Sequence, residues 1–141
     1  MQPFGDPVMT NQHTIIASVS DAEVEILKEL WDKSPLCAQE IIDRLQGHSS
    51  VHPKTVRTLI NRLLKKGALG FHEQQRTYYY YPTVEKADFY QNKTESFLEK
   101  FFDGELSPLV SFFSSRKKLN DKEVAELKKL IADLEGNADE Q

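Results

Sequence analysis

Between Asp43 and Glu73 the sequence holds no carboxylate, yet Arg44, Lys54, Arg57, Arg62, Lys65 and Lys66 all stand inside that window. The run PKTVRTLINRLLKKG, opening at Pro53, concentrates most of them. Its apolar residues Val56, Leu59, Ile60, Leu63 and Leu64 follow the i, i+3, i+4, i+7, i+8 rule, which predicts a helix with one buried stripe. At about 100° per residue, Lys54, Thr58, Asn61 and Lys65 fall on the opposite side, with Arg57 on one edge and Thr55 and Arg62 on the other. These are side chains that grip or read a duplex. Arg suits guanine O6 and N7, Asn suits adenine, Thr meets a thymine methyl or a phosphate, and Lys neutralises phosphates. The bland alternative is a solvated basic face, but such a face normally carries acids that pair at i,i+4, and this one has none.

A helix of this kind needs elements to present it. Upstream, VSDAEVEILKELW contains a capping box, Ser20 with Glu23, and Val19 and Val24 stand where a hydrophobic staple would, so a helix is expected from Asp21 to the stop at Ser34-Pro35. LCAQEIIDRLQG follows as a shorter helix burying Ala38, Ile41, Ile42 and Leu45 and ending in a left-handed cap at Gly47. Pro53 suits the first turn of the third helix and Gly67 its end. LGFHEQ and RTYYYYP then read as two strands of a hairpin, with Gln74-Gln75 a weak turn signal. A strand sends alternate side chains to opposite faces, so Leu69 and Phe71 are expected to point inward with Tyr78 and Tyr80, leaving Tyr79 and Tyr81 outside. Arg76 at the hairpin tip is expected to reach the DNA backbone or minor groove. Helix, helix, helix, hairpin is the order of a winged helix-turn-helix.

Composition sets the frame. The chain has 141 residues and a net charge of -4, neutral up to Pro82 and acidic beyond it. A local basic patch matters more to a polyanion than that total. The lone Cys37 rules out an intrachain disulfide framework and is expected to be a small buried hydrophobe. No apolar run approaches a membrane span and no signal peptide is evident, so no membrane insertion and a cytoplasmic location are expected. Residues 1–18 and 136–141 read as disordered tails, 19–82 as the DNA-binding domain, and 83–135 as a helical dimerisation region. In that last region Phe89, Phe97, Leu98, Phe101 and Phe102 form an aromatic stripe, Leu109, Val110 and Phe113 mark a short apolar helix, and Val124, Leu127 and Ile131 repeat at helical spacing. It is too thin to fold a core alone, so a second copy is expected to cover its apolar faces.

With these pieces in place, the chain resembles the penicillinase repressors of the BlaI/MecI type, winged-helix dimers that silence resistance genes. SDAEVEILKELW, AQEIIDRL, PKTVRTLINRLLKKG, RTYYYYP and FLEKFFDGELSPLVSFF carry the resemblance. It implies a mainly α fold with a small β-hairpin, DNA contacts from Lys54, Thr55, Arg57, Thr58 and Arg62, Tyr78 and Tyr80 as the buried pair, and control of β-lactamase or related resistance or cell-envelope genes. Family members are inactivated when a membrane sensor protease triggers cleavage at an Asn-Phe bond; the corresponding bond here is Phe112-Phe113, which makes a sensor protease a further expected partner. Val24 replaces the family's usual Trp, and His52 stands where a Ser-like cap precedes Pro53, a poor cap that should let the helix start fray. A copper-sensing branch uses a C-terminal cysteine cluster that this chain lacks.

Other chemistry is set aside. His48 and His52 lie in a polar loop without a carboxylate, which is weak ground for zinc, so no metal or cofactor is expected. No P-loop, GxSxG, HExxH or CxxC motif occurs, and an enzyme is not expected. Two classes remain: a homodimeric repressor on an inverted-repeat double-stranded operator, or a winged-helix protein-interaction or RNA-binding module with an acidic partner. Arg, Asn and Thr on an acid-free stripe favour the first, because a purely electrostatic face would need only charge.

Overall fold

The computed structural model describes the backbone of residues 5–116 and 118–139 and side-chain burial for 12–116 and 118–136. Its elements are α1 (Gly5–Ser18), α2 (Asp21–Asp32), β1 (Leu36–Cys37), α3 (Ala38–Gln46), α4 (Pro53–Lys66), β2 (Leu69–Gln74), β3 (Thr77–Pro82), α5 (Lys86–Phe102), α6 (Ser107–Ser115) and α7 (Asp121–Asp139). They form two compact units, residues 1–94 and 95–141, with the boundary inside α5 rather than after Pro82.

In the first unit the apolar stripes of α2, α3 and α4 meet. Ile26, Leu27 and Leu30 pack with Ile41, Ile42 and Leu45 and with Val56, Leu59, Ile60 and Leu63, all buried. The capping box opens α2 as the sequence requires: Ser20 Oγ accepts from the Glu23 N–H at 3.2 Å, and Glu23 Oε1 accepts from the Ser20 N–H at 2.9 Å. The hairpin has a third strand that the sequence reading placed inside a helix. β1 pairs antiparallel with β3, Leu36 against Tyr80 and Cys37 against Tyr79, giving the order β1-β3-β2. Two residues are too few for a strand pattern to show. Gly47, expected in a left-handed cap, is right-handed, with φ -69.

Both expected tails need correction. Helix α1 occupies most of the first one, and Ile16 is buried in the core. Anchors at its C-terminal end explain this. The Ile15 side chain lies over Gly67, Gln12 donates to the Thr83 carbonyl, His13 Nδ1 sits 3.0 Å from the Asn92 amide, and Lys66 Nζ donates to the Ser18 carbonyl at 2.6 Å. Residues 1–4 lie outside the described residues. At the other end α7 runs on to Asp139, since Gly136 costs a helix only about 1 kcal/mol and no proline intervenes.

Phe89 also changes place. Expected in the dimerisation stripe, it is 2% exposed and part of the first unit's core, 5.3 Å from the Trp31 ring. Trp31 in turn donates its indole N–H to the Val84 carbonyl at 2.9 Å, which fastens the start of α5 to α2. Helix periodicity shows that Phe89 is on an apolar face but not which partner covers it.

Candidate nucleic-acid interface

Helix α4 is fixed at both ends. At its start the His52 imidazole Nδ1 accepts from the Lys54 N–H at 3.0 Å, so the residue expected to cap poorly does cap. A ring nitrogen carrying a lone pair can accept there as a hydroxyl oxygen does. At its end Gly67 adopts φ 85, and the Ala68 N–H returns to the Leu63 carbonyl at 2.9 Å.

The face opposite the core is open. Lys54, Thr55, Arg57, Thr58, Asn61, Arg62 and Lys65 are all exposed. Among the described residues none of its Lys or Arg side chains forms a salt bridge. The Thr58 hydroxyl donates to the Lys54 carbonyl at 3.1 Å, which leaves its methyl group for a base edge.

Two other cations of the same window are taken up by the fold. Arg44 bridges Glu29 and Asp32 of α2, and His48 Nε2 lies 2.9 Å from the second oxygen of Glu29. His48 and His52 are therefore both engaged with protein groups rather than with each other. Lys66 pairs at 2.5 Å with Glu23, whose side chain is 1% exposed. Burial pushes the Glu23 carboxyl up, but the Lys66 ammonium and the Ser20 N–H outweigh it and hold the group below its ordinary value of 4.5. This pair joins the first turn of α2 to the last turn of α4, so the presenting helix is held by charge as well as by its apolar stripe.

The hairpin meets α4 on its inner face. Register places Leu69, Phe71 and Glu73 beside Pro82, Tyr80 and Tyr78. Tyr78 shares a face with Tyr80 as alternation requires, but of the expected buried pair only Tyr80 is buried, and Tyr79, expected outside, is partly covered. Tyr80 is 8% exposed, whereas Tyr78 and Phe71 are each 45% exposed and stack at 4.4 Å. The reason is the shortness of β1, which flanks Tyr80 and Tyr79 and then turns into α3, leaving Tyr78 beyond the core. On the outer face Tyr81 lies over Gly70, where a Cβ would meet its ring at 2.5 Å, and His72 stacks with Tyr79 and Tyr81. A larger residue there would force the exposed Tyr81 ring to swing aside.

Between α4 and the hairpin lies an open cleft of about 360 Å³, lined by Cys37, Ala38, Gln39, Arg57, Arg76, Thr77, Tyr78 and Tyr80. Burial raises the Tyr80 phenol above its ordinary value, with Tyr78 adding to the shift and Arg57 opposing it. Arg57 and Arg76, expected separately from helix and hairpin, thus face one space. Cys37 is half-buried at its rim rather than fully buried. Gln39 and Thr77 escaped the sequence reading, and Tyr78 entered it only as a buried residue of the wing, because nothing in their spacing places them beside α4.

The second unit exposes most of its apolar residues. Phe97, Phe101, Phe113, Val124 and Ile131 are exposed, and Leu98, Phe102, Leu109, Val110 and Leu127 are partly covered. Leu106, Phe112, Leu130 and Leu134 extend the same exposed set. Phe112 and Phe113 lie within α6, which has no buried residue. Among the described residues no helix is long and apolar enough to cross a membrane.

Three helices packed around a core, the third turning an acid-free polar face outward, and a hairpin wing beside it define a winged-helix DNA-binding protein. The chain belongs to the penicillinase repressor family, which it matches over residues 19–133. It is 36% identical to the penicillinase repressor of Bacillus licheniformis over 116 residues, covering 82% of this chain and 91% of that one. It is 33% identical over 113 residues to the methicillin resistance regulatory protein MecI of Staphylococcus aureus (strain N315), covering 80% of this chain and 92% of that one. The solution structure of the DNA-binding domain of the repressor BlaI is 40% identical, with a TM-score of 0.47 over 52% of this chain and 89% of that one. Members of the family are DNA-binding transcriptional repressors of antibiotic resistance and not enzymes. Helix α1 precedes the matched region.

Proposed function

We propose that this chain is a cytoplasmic homodimeric repressor that binds an inverted-repeat operator, with one α4 in the major groove of each half-site, and shuts off β-lactamase or related resistance or cell-envelope genes. The observation that carries the reading is the open, acid-free face of α4. Asn61, Thr58, Arg62 and Thr55 would meet base edges, while Lys54 and Lys65 would neutralise phosphates. The second copy docks through the exposed Phe97, Phe101 and α7 residues of the second unit. Two-fold symmetry of the dimer then requires two-fold symmetry of its DNA. Release by a sensor protease would act at Phe112-Phe113 in the exposed α6 and would sever that second unit.

Fluorescence anisotropy on the promoter of the chain's own gene tests this. A dimer neutralising about 8 phosphates should show a log–log salt slope near -7, and Asn61→Ala should narrow the gap between operator and random duplex while leaving that slope in place. Equal affinity of the unmodified chain for operator and random sequence would refute site-specific repression.

A further inference from the structure

The hairpin tip is strained where it need not be. β2 and β3 are joined by two residues, Gln75 and Arg76, with the Gln74–Thr77 pair closing the ladder. Both are left-handed, with φ 51 and 66. That turn favours Asn-Gly, and a long side chain gains nothing from it locally. Strain of this kind persists where the side chain is needed in that place.

The place is the cleft beside α4. Arg76 and Arg57 line it from two elements, Tyr78 and Thr77 from the strand between them, and Gln39 from the first turn of α3. No carboxylate lines it. Glu40, the next residue of α3, instead accepts from the Cys37 N–H at 2.9 Å. Glu73 lies across from Tyr78 in the ladder but outside the lining. Among the described residues neither arginine is in a salt bridge. Tyr78 is held at the rim by Phe71 with its ring half exposed, an arrangement that explains why two aromatic residues stand out from the core. Arg57, Arg76, Tyr78, Thr77 and Gln39 line one space, and guanidinium, phenol, hydroxyl and amide are the donor types that suit a tetrahedral oxyanion.

We propose that this cleft is a phosphate seat, in which Arg57, Arg76 and Tyr78 jointly grip one backbone phosphate of each operator half-site. The proposal rests on the repressor reading above and assigns Arg57 to backbone grip rather than to base recognition. It makes the wing and α4 two jaws on a single phosphate, which sets the depth at which α4 enters the groove.

Operator duplexes carrying one uncharged methylphosphonate linkage, moved stepwise through the half-site, test it against the unmodified chain, Arg76→Ala and Tyr78→Phe. At one linkage per half-site the neutral substitution should weaken the unmodified chain about tenfold, and each variant should lose clearly less than that there, because one of the three grips on that phosphate is already gone, whereas losses add at every other linkage. Losses that add at all linkages, with tight operator binding by the unmodified chain, would overturn the seat and leave the repressor reading intact. Failure to bind any operator duplex would remove both. Arg76→Gly relieves the turn, so its unfolding temperature should rise while its affinity falls as in Arg76→Ala; undiminished affinity would also overturn the proposal. Inorganic phosphate, added at constant ionic strength, should compete no better than chloride. Competition at millimolar phosphate that disappears in Tyr78→Phe would give the cleft to a free phosphate ligand instead and overturn the operator assignment.

Discussion

A chain carrying Phe97→Asp and Phe101→Asp is expected to sediment as a monomer and to bind its full operator at least about 100-fold more weakly than the unmodified chain. The two rings lie 5.2 Å apart and are 46% and 64% exposed, on a helix whose second half belongs to a unit with no buried apolar side chain among the described residues. Covering each ring in a dimer contributes about 1.5–3 kcal/mol, whereas a carboxylate in the same place would lose its water without gaining a partner. The loss on DNA is larger than the loss of two contacts. In a dimer the second half-site is found at a high effective concentration, and a monomer forfeits that advantage. The first unit should be unaffected, because its core ends at Phe89 and draws on neither ring. Monomers with undiminished operator affinity would disprove the proposed dimer.

The second large effect concerns folding. Glu23→Ala is expected to destabilise the first unit by about 3 kcal/mol, the lower end of the range for breaking a buried ion pair, since the Lys66 side chain remains 28% exposed and can recover some water. Against a total stability of about 5–15 kcal/mol this is a large fraction. The change removes the carboxylate that caps α2 and neutralises the end of α4, so it loosens the presenting helix as well. Because the folded-state value of Glu23 is lowered, its contribution is present above the unfolded value near 4.5 and is lost as pH falls through the lower folded value. Urea unfolding followed between pH 7 and pH 3 should therefore show a flatter acid limb for Glu23→Gln than for the unmodified chain. Parallel acid limbs would mean that Glu23 titrates alike in the folded and unfolded chain, so that its pairing with Lys66 does not lower its value.

What was legible in the sequence follows the range of the forces involved. Helix α4 was legible at both ends, since its stripe, Pro53 and Gly67 are all local signals. The capping box of α2 was legible for the same reason. Helix α1 was not, because Gly5, Pro7, Asn11 and Gln12 carry no periodicity and its anchors are Gly67, Thr83 and Asn92, far along the chain. The pairing of Glu23 with Lys66, 43 residues apart, is equally non-local. Tyr78 and Phe71 show the limit of alternation, which gives the face of a strand but not how far the core extends beneath it. The acid-free face of α4 was visible as a pattern, but its neighbourhood with the wing, which brings Arg57 and Arg76 to one cleft, came only from the fold.

The central claim is that the uncovered side of α4 enters the major groove, and methylation protection of guanine N7 tests it most directly because that atom lies in the major groove alone. The account predicts that the dimer shields guanine N7 positions in two stretches about one helical turn, or a whole number of turns, apart, related by the operator's two-fold axis. Tight operator binding that leaves every guanine N7 open to methylation would contradict it.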